Sequence, residues 1–573
     1  MADYSNPNKQ KIAELIQIVG VSTEEIYSLL AVPSDSAMGD YALPCFRFAK
    51  TLRKAPQAIA AELSETLANN GFCKVEAVNG YLNFKLDKSA LARETLDEII
   101  TQKCGYGNSD MGSGKTVCID YSSINIAKPF HIGHLSTTVI GAALYRVYKK
   151  LGYRAIGINH LGDWGTQFGK LIVAYKTWGS EQELNEKGML ALTDLYVRFH
   201  REAEQNPALD EDARRAFKQI EEGNAEALSL FNLFKEITLR EVKKVYERLD
   251  IQFDSYNGEA FYNDKMEPVL RELEAQNLII ESQGARVVDL EEYGMPPCLL
   301  VKADGATLYA TRDLAAAFYR KTTYDFYKCL YVVAYQQNLH FRQVFKVLEL
   351  MGKDWAKDLV HVPFGMVSLE DGTMSTRKGK VVWLADVFDR SVEKSLAIIS
   401  QKSPDLYGKE DIAEKIGVGA VVFFALSNNR IKDIVFSYDK VLNFDGETGP
   451  YVQYTNVRCN SILRRAEGLT ELLSTPLSAN DIKGLDNKES ETLISLLEKF
   501  PSILYDVTEK HEPSILTRHL IDIAQAFNRF YLEHRILNAE DEYKKGRLAL
   551  VYATHIVLEE GLRLLGIQCP EEM

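Results

Sequence analysis

Residues 116–121 form a near-continuous apolar run of strand length. Residues 135–151 carry apolar side chains at Leu135, Val139, Ile140, Ala143, Leu144 and Val147, the spacing of a helix with one buried face. A strand feeding a helix through a polar turn is the unit of an α/β sheet, which commits the middle of the chain to that class. The turn reads Lys128-Pro129-Phe130-His131-Ile132-Gly133-His134. Two histidines three apart at a strand-to-helix turn can point the same way. A helix N-terminus offers free N–H groups and positive potential, and so favours phosphate. Gly133 lets a flat ligand approach the backbone. Those parts suit a nucleoside triphosphate attacked at its α-phosphate. H-x-G-H alone also fits a turn with two surface histidines.

From 117 to about 445 strand and helix patterns alternate, with parallel strands expected at 117–121, 155–158 and 330–334. The predicted architecture is an α/β, doubly wound (Rossmann-type) parallel-sheet catalytic domain over 111–445. A charged, helix-rich insertion interrupts it at about 177–297. Residues 1–110 predict an added α/β N-terminal domain: a helical pattern over 11–30, a helix from Pro56 to Asn69, and a strand pair over 75–86 turning at Asn79-Gly80. Residues 105–114 read as a linker, and 446–573 as an all-α domain with apolar spacing such as Leu493, Leu496, Leu497 and Phe500. Gly112-Ser113-Gly114-Lys115-Thr116 imitates a phosphate-binding loop. Ser109 stands where the first glycine belongs, and a strand follows where that loop requires a helix.

A chain of 573 residues is too long for one core. Its N-terminus, residues 1–10, is polar and lacks an apolar signal core. Its longest apolar run, 418–426, is too short to span a bilayer. The 8 cysteines are scattered without a C-x-x-C pair, so they read as reduced, buried side chains rather than zinc ligands or a disulfide framework. A cytoplasmic enzyme with no membrane attachment and no bound structural metal is expected. The net charge of −13 means that a nucleic-acid partner requires a local basic surface.

Extended to Asp120-Tyr121-Ser122-Ser123-Ile124-Asn125-Ile126-Ala127-Lys128-Pro129-Phe130-His131-Ile132-Gly133-His134-Leu135-Ser136, the first motif resembles the HIGH segment of class I aminoacyl-tRNA synthetases, in its arginyl form. Asn159-His160-Leu161-Gly162-Asp163-Trp164-Gly165-Thr166-Gln167-Phe168-Gly169 is similar to a second block of that family. Gly372-Thr373-Met374-Ser375-Thr376-Arg377-Lys378-Gly379 resembles a degenerate KMSKS loop. The three stand in the family's order, and the likeness covers nearly the whole chain. Two departures are visible: Thr373 and Thr376 replace lysines of the loop, and Ile124 stands where the family usually has proline.

The resemblance implies ATP-dependent activation of L-arginine and its transfer to tRNA-Arg, with activation itself dependent on the tRNA. Magnesium accompanies the ATP phosphates, and the enzyme is expected to be a monomer. His131, Gly133, His134, Met374, Ser375 and Lys378 are implied as ATP contacts, with His131, His134, Lys128 and Lys378 catalytic. Either Lys128 or Lys378 can be the main phosphate cation. Arginine presents a planar five-donor guanidinium best met by carboxylates. Asp120 and Asp313, with Tyr309 four residues before the latter, are the candidates; Ser123, Asn125 and Gln337 (or Gln336) are implied for the amino-acid backbone. For tRNA the candidates are Tyr451, Tyr454, Arg458, Arg464 and Arg465, joined by Asn528 and Tyr531, since unstacked bases are read on aromatic and cationic side chains. The added N-terminal domain is implied to touch the tRNA elbow. Two rivals remain on the sequence: a smaller nucleotidyl transferase, which would lack the helical third, and a non-catalytic tRNA-binding paralogue, which would not need His131, His134, Lys128 and Lys378.

Overall fold

The computed structural model describes residues 7–369, 382–444 and 446–573. At its centre four parallel strands alternate with helices: β1 (Thr116–Asp120), α1 (Leu135–Lys150), β2 (Arg154–Ile158), α2 (Tyr309–Tyr324), β3 (Lys328–Ala334), α3 (Asn338–Leu350) and β4 (Leu359–Phe364). The sheet order is β4-β3-β1-β2. Every residue of β1 is buried, which is why it reads as a near-continuous apolar run. The chain leaves β1 toward β2 and returns on its other flank as β3. This puts a topological switch point between β1 and β3, and such sheets bind ligands at the carboxyl ends of these strands. Helix α1 lies close over that edge: a Cβ on Gly141 would stand 2.2 Å from the Tyr121 side chain.

The N-terminal segment is a three-stranded antiparallel sheet, with Tyr81–Leu86 between Tyr41–Pro44 and Cys73–Val78, packed on the helix Pro56–Thr66. Asn79 and Gly80 take φ of 51° and 82°, the left-handed pair that a two-residue hairpin turn requires. The helical pattern over 11–30 resolves into two helices, Pro7–Leu15 and Thr23–Leu29. Ser22 starts the second by accepting from the Glu25 N–H at 3.2 Å, a local cap that competes with continuing the first.

After the helix Thr166–Trp178, the insertion is helical, as expected, through Met189–Ala203, Ala208–Glu221 and Ala225–Arg248. It then forms an antiparallel sheet, Ile279–Ser282, Ala285–Val288 and Cys298–Val301, that the sequence did not suggest. Its hairpin turns at Gln283-Gly284 with φ of 52° and 79°. Glutamine is an unusual residue for that conformation, so the turn signal was weak.

Helices α4 (Leu384–Lys402), α5 (Lys409–Ser427), α6 (Gly449–Arg465), α7 (Lys488–Lys510), α8 (Ser514–Glu533) and α9 (Asp541–Leu565) complete the chain. One continuous cluster of buried apolar side chains runs from Ala92 to Ile567, so the helical part shares a core with the sheet domain. At that seam, helix α1 ends in a buried ion pair, Lys150 Nζ to Glu560 Oε1 at 2.9 Å, with the two side chains 2% and 4% exposed. Among the described residues no helix is long and apolar enough to cross a membrane, and no group of three or more His, Cys, Asp or Glu could hold a metal. The imitation phosphate loop is a turn whose Lys115 donates to the Met111 carbonyl at 2.8 Å and lies over the Tyr153 and Tyr327 rings.

Candidate active site

The loop leaving β1 is held in an unusual shape. Ser122, Ser123 and Ala127 have φ of 67°, 43° and 58°, conformations that cost non-glycine residues about 1–3 kcal/mol each. Hydrogen bonds from two sides offset this. Ser122 N–H donates to Thr137 Oγ1 of α1 at 3.0 Å, and its hydroxyl meets the Tyr246 hydroxyl at 2.7 Å. Ala127 N–H donates to Thr238 Oγ1 at 3.0 Å. Tyr246 and Thr238 belong to the insertion helix Ala225–Arg248, which therefore clamps the loop from outside. Asn125 pairs through its backbone with Gly162.

His131 and His134 stand at the start of α1 with ring centroids 4.1 Å apart. His131 Nδ1 accepts the Gly133 N–H at 3.1 Å, and His134 Nδ1 accepts the His131 N–H at 3.2 Å. A histidine whose Nδ1 accepts must carry its proton on Nε2. Burial, joined by the charge of Lys128, pushes His131 down to about 4. Burial, His131 and Lys128 push His134 down to about 3. Both rings are thus neutral at pH 7, and each has one N–H donor, at Nε2, left for a ligand.

The flanks of the KMSKS-like loop return to this point. Val367–Leu369 packs against the His131–His134 turn, Ile132 N–H donates to the Val382 carbonyl at 3.2 Å, and Leu384 N–H donates to the Phe130 carbonyl at 2.9 Å. Met374, Ser375 and Lys378 lie outside the described residues.

Asp313 and Tyr309 share the first turns of α2 as the spacing suggested, with Tyr309 65% exposed. Asp313 Oδ2 meets His340 Nε2 at 2.6 Å. Burial pushes the Asp313 carboxyl up, but the His340 hydrogen bond and the charges of His340, His160 and Arg320 outweigh it and hold Asp313 below the usual carboxylate range. Glu259, which the sequence reading missed, shares this space. Its charge bears on Tyr309, and it lies among Arg312, Asp313 and Lys128. Burial pushes its carboxyl up to about 7. No local motif marks Glu259; the fold delivers it. Asp163 of the second block is fully buried, and its Oδ1 accepts the Ala260 N–H at 2.9 Å while its Oδ2 takes Lys235 Nζ at 2.6 Å. That anchor fixes the Glu259 segment against the site, and the Trp164 ring packs on Phe217 and Phe231.

Asp120, a candidate for the substrate side chain, has two partners inside the protein. Its Oδ1 accepts from Ser123 Oγ at 2.7 Å, and its Oδ2 takes Arg320 Nη2 at 2.6 Å. Arg320 is 1% exposed, and its Nε and Nη1 find no hydrogen-bond partner among the described residues, so Asp120 is its counter-charge. Gln336 and Gln337 are both exposed on the turn after β3, beside the switch point, and the choice between them stays open.

In the helical domain Arg458 lies over the rings of Tyr454 and Tyr531, at 5.0 and 5.1 Å, and donates to Asn528. Asn528 in turn donates to the Tyr451 hydroxyl at 3.0 Å. Tyr454, Arg458, Arg465 and Tyr531 line one open groove. Arg464 points elsewhere and pairs with Glu572.

Three family descriptions match the chain: "tRNA synthetases class I (R), catalytic domain" over residues 95–438, "DALR anticodon binding domain" over 452–573, and "Arginyl tRNA synthetase N terminal domain" over 8–86. An arginine–tRNA ligase of Alkaliphilus metalliredigens is 52% identical over 577 residues, covering 100% of both chains, and that of Clostridioides difficile is 53% identical over 570 residues, covering 99% of each. The solved arginyl-tRNA synthetase of Thermus thermophilus superposes with a TM-score of 0.78 at 26% identity, over 95% of this chain and 96% of its own. With all three family descriptions matched in order and identity above one half over the full length, the chain belongs to the arginyl-tRNA synthetases, class I ligases that join L-arginine to tRNA-Arg at the expense of ATP.

Proposed function

We propose the following division of labour within that reaction. Arginine enters the crevice between β1 and β3 with its guanidinium toward Asp313, Glu259 and Tyr309. Asp120 acts one step back, holding Arg320 and Ser123 in place, while Ser123, Asn125 and Gln337 (or Gln336) receive the amino-acid backbone. One arginine carboxylate oxygen then attacks the α-phosphorus of MgATP, the bond to the bridging oxygen breaks, and pyrophosphate leaves with its electron pair. The Nε2–H groups of His131 and His134 donate to α-phosphate oxygens as charge builds there, Gly133 gives the nucleotide room, and Lys128 or Lys378 balances the pyrophosphate, with Met374 and Ser375 beside it. A terminal ribose hydroxyl of the tRNA next attacks the adenylate carbonyl and expels AMP.

The observation that carries this reading is the joint placement of donors and acids. The charge of Lys128 bears on His131, His134 and Glu259 alike, so the proposed phosphate donors and the proposed carboxylate pair lie within electrostatic reach of one ammonium. Neutral N–H donors fixed before the substrate arrives are the kind of preorganised group that stabilises developing charge.

The groove of Tyr454, Arg458, Arg465 and Tyr531 is proposed to stack anticodon bases, with Tyr451 and Asn528 holding Arg458 in position and Arg464 at its margin. The N-terminal domain is proposed to touch the tRNA elbow. The enzyme is proposed to work as a cytoplasmic monomer, its magnesium entering on the ATP phosphates, and to need bound tRNA before it activates arginine. Two assays on the full chain test this. Charging of bulk tRNA is expected with radiolabelled arginine and with none of the other amino acids. Arginine-dependent ATP–pyrophosphate exchange is expected only when tRNA-Arg with an oxidised terminal ribose is present; equal exchange without tRNA would overturn the coupling.

A further inference from the structure

His340 lies in the first turn of α3, three residues after Gln337, and reaches across to the first turns of α2. Its Nε2 stands 2.6 Å from Asp313 Oδ2, and the two side chains are 23% and 25% exposed, so the contact sits at the pocket wall rather than in the core. The core packing at this point comes from the next residue, Phe341, which is buried against Tyr331 and His361. The His340 ring meets the Phe341 ring edge-on, with centroids 5.3 Å apart, and from that seat directs Nε2 at the carboxylate.

An ionised carboxylate only accepts, so the imidazole donates from Nε2. A carboxylate without a fixed partner rotates, and a rotating acceptor cannot hold the paired geometry that a guanidinium fork demands. With Oδ2 anchored by His340, the plane of the carboxylate is set, and Oδ1 and the second lone pair of Oδ2 stay open to two N–H donors. Arg320 does not compete for them, because Asp120 engages it.

We propose that His340 is a specificity-determining positioning residue: by anchoring Asp313 Oδ2 it fixes the carboxylate plane that separates a planar guanidinium from a neutral urea or a primary ammonium. This rests on Asp313 reading the substrate side chain. The effect therefore belongs to arginine recognition and not to ATP binding.

The test uses the full-length enzyme with tRNA-Arg and four variants: H340A, H340Q, D313N and the H340A/D313N double variant. Michaelis constants for arginine and ATP, kcat, thermal midpoints and activation of citrulline and lysine are measured for each. H340A is expected to raise the arginine KM roughly tenfold to a hundredfold, the loss typical of one hydrogen bond to a charged group, and to narrow discrimination against citrulline. Its ATP KM and melting should stay at the parent values. H340Q retains an N–H donor at similar reach and should recover most of the loss. The double variant should be no worse for arginine than D313N, because the histidine acts through that carboxylate. If D313N raises the arginine KM while H340A leaves it unchanged, the role of His340 is refuted and the pocket reading stands. If D313N itself leaves the arginine KM unchanged, the pocket reading fails and the His340 proposal falls with it. Additive effects in the double variant, or arginine and ATP constants rising together with a lost melting transition and no rescue in H340Q, would reduce His340 to a structural part.

Discussion

His134 does two jobs with two nitrogens, and a pair of substitutions can separate them. Nδ1 accepts the His131 N–H at 3.2 Å and so satisfies a backbone donor at the head of α1; Nε2–H is the proposed donor to phosphate. Asparagine carries its oxygen near the position of Nδ1, whereas glutamine carries its amide nitrogen near Nε2. His134→Asn should therefore keep the backbone bond and lose the phosphate donor. One preorganised transition-state donor is worth about 2.7–4 kcal/mol, so kcat should fall about 10²- to 10³-fold while the thermal midpoint stays near that of the parent. His134→Gln should do the reverse. It loses a helix-start bond worth about 0.5–2 kcal/mol and lowers the melting midpoint by a few degrees, yet retains most of the activation rate. Pyrophosphate exchange in the presence of tRNA-Arg gives the rate, and differential scanning fluorimetry the stability. Equal activity losses in the two variants would refute the assignment of the tautomer. Full activity in His134→Asn would remove the ring from phosphate stabilisation altogether.

Glu259, pushed up to about 7 by burial, should be mostly neutral below that pH and ionised above it. A cationic guanidinium favours the ionised form, so kcat/KM for arginine should rise roughly tenfold between about pH 6 and 8. Glu259→Gln should be poorer throughout and lack that rise; an unchanged pH slope in this variant refutes the assignment. At the domain seam Glu560 serves both Lys150 and Arg563, so removing the carboxylate strands a buried ammonium, whereas removing Lys150 leaves Glu560 paired. Glu560→Leu should cost about 3–5 kcal/mol and Lys150→Met distinctly less, as midpoints of thermal unfolding will show; the opposite order contradicts the pairing.

The sheet strands and the helix of the H-x-G-H motif were legible because their signals are local: an all-buried strand shows as a continuous apolar run, and a one-faced helix shows its period. The family resemblance, rather than any local pattern, singled out His131 and His134 for ATP and Tyr309 and Asp313 for arginine. What escaped was set by contacts distant in sequence. Glu259 is brought beside Asp313 by backbone ties to a distant segment: its own N–H donates to the Leu161 carbonyl and that of Ala260 to Asp163. Asp120 has the right type and position for a substrate ligand, and only the fold reveals that Arg320, two hundred residues on, occupies it. His340 carries no motif, and its meaning comes from a single 2.6 Å contact. The insertion sheet was hidden by short strands and an atypical turn residue.

The most direct measurement of the site is a structure of the enzyme with a non-hydrolysable sulfamoyl analogue of arginyl-adenylate and tRNA-Arg. The expected result has guanidinium nitrogens about 3 Å from carboxylate oxygens of Asp313 and Glu259, and sulfamoyl oxygens at a similar distance from Nε2 of His131 and His134. A guanidinium seated instead on Asp120, with Arg320 displaced, or histidine Nε2 atoms turned away from the sulfamoyl group, would contradict the central assignment.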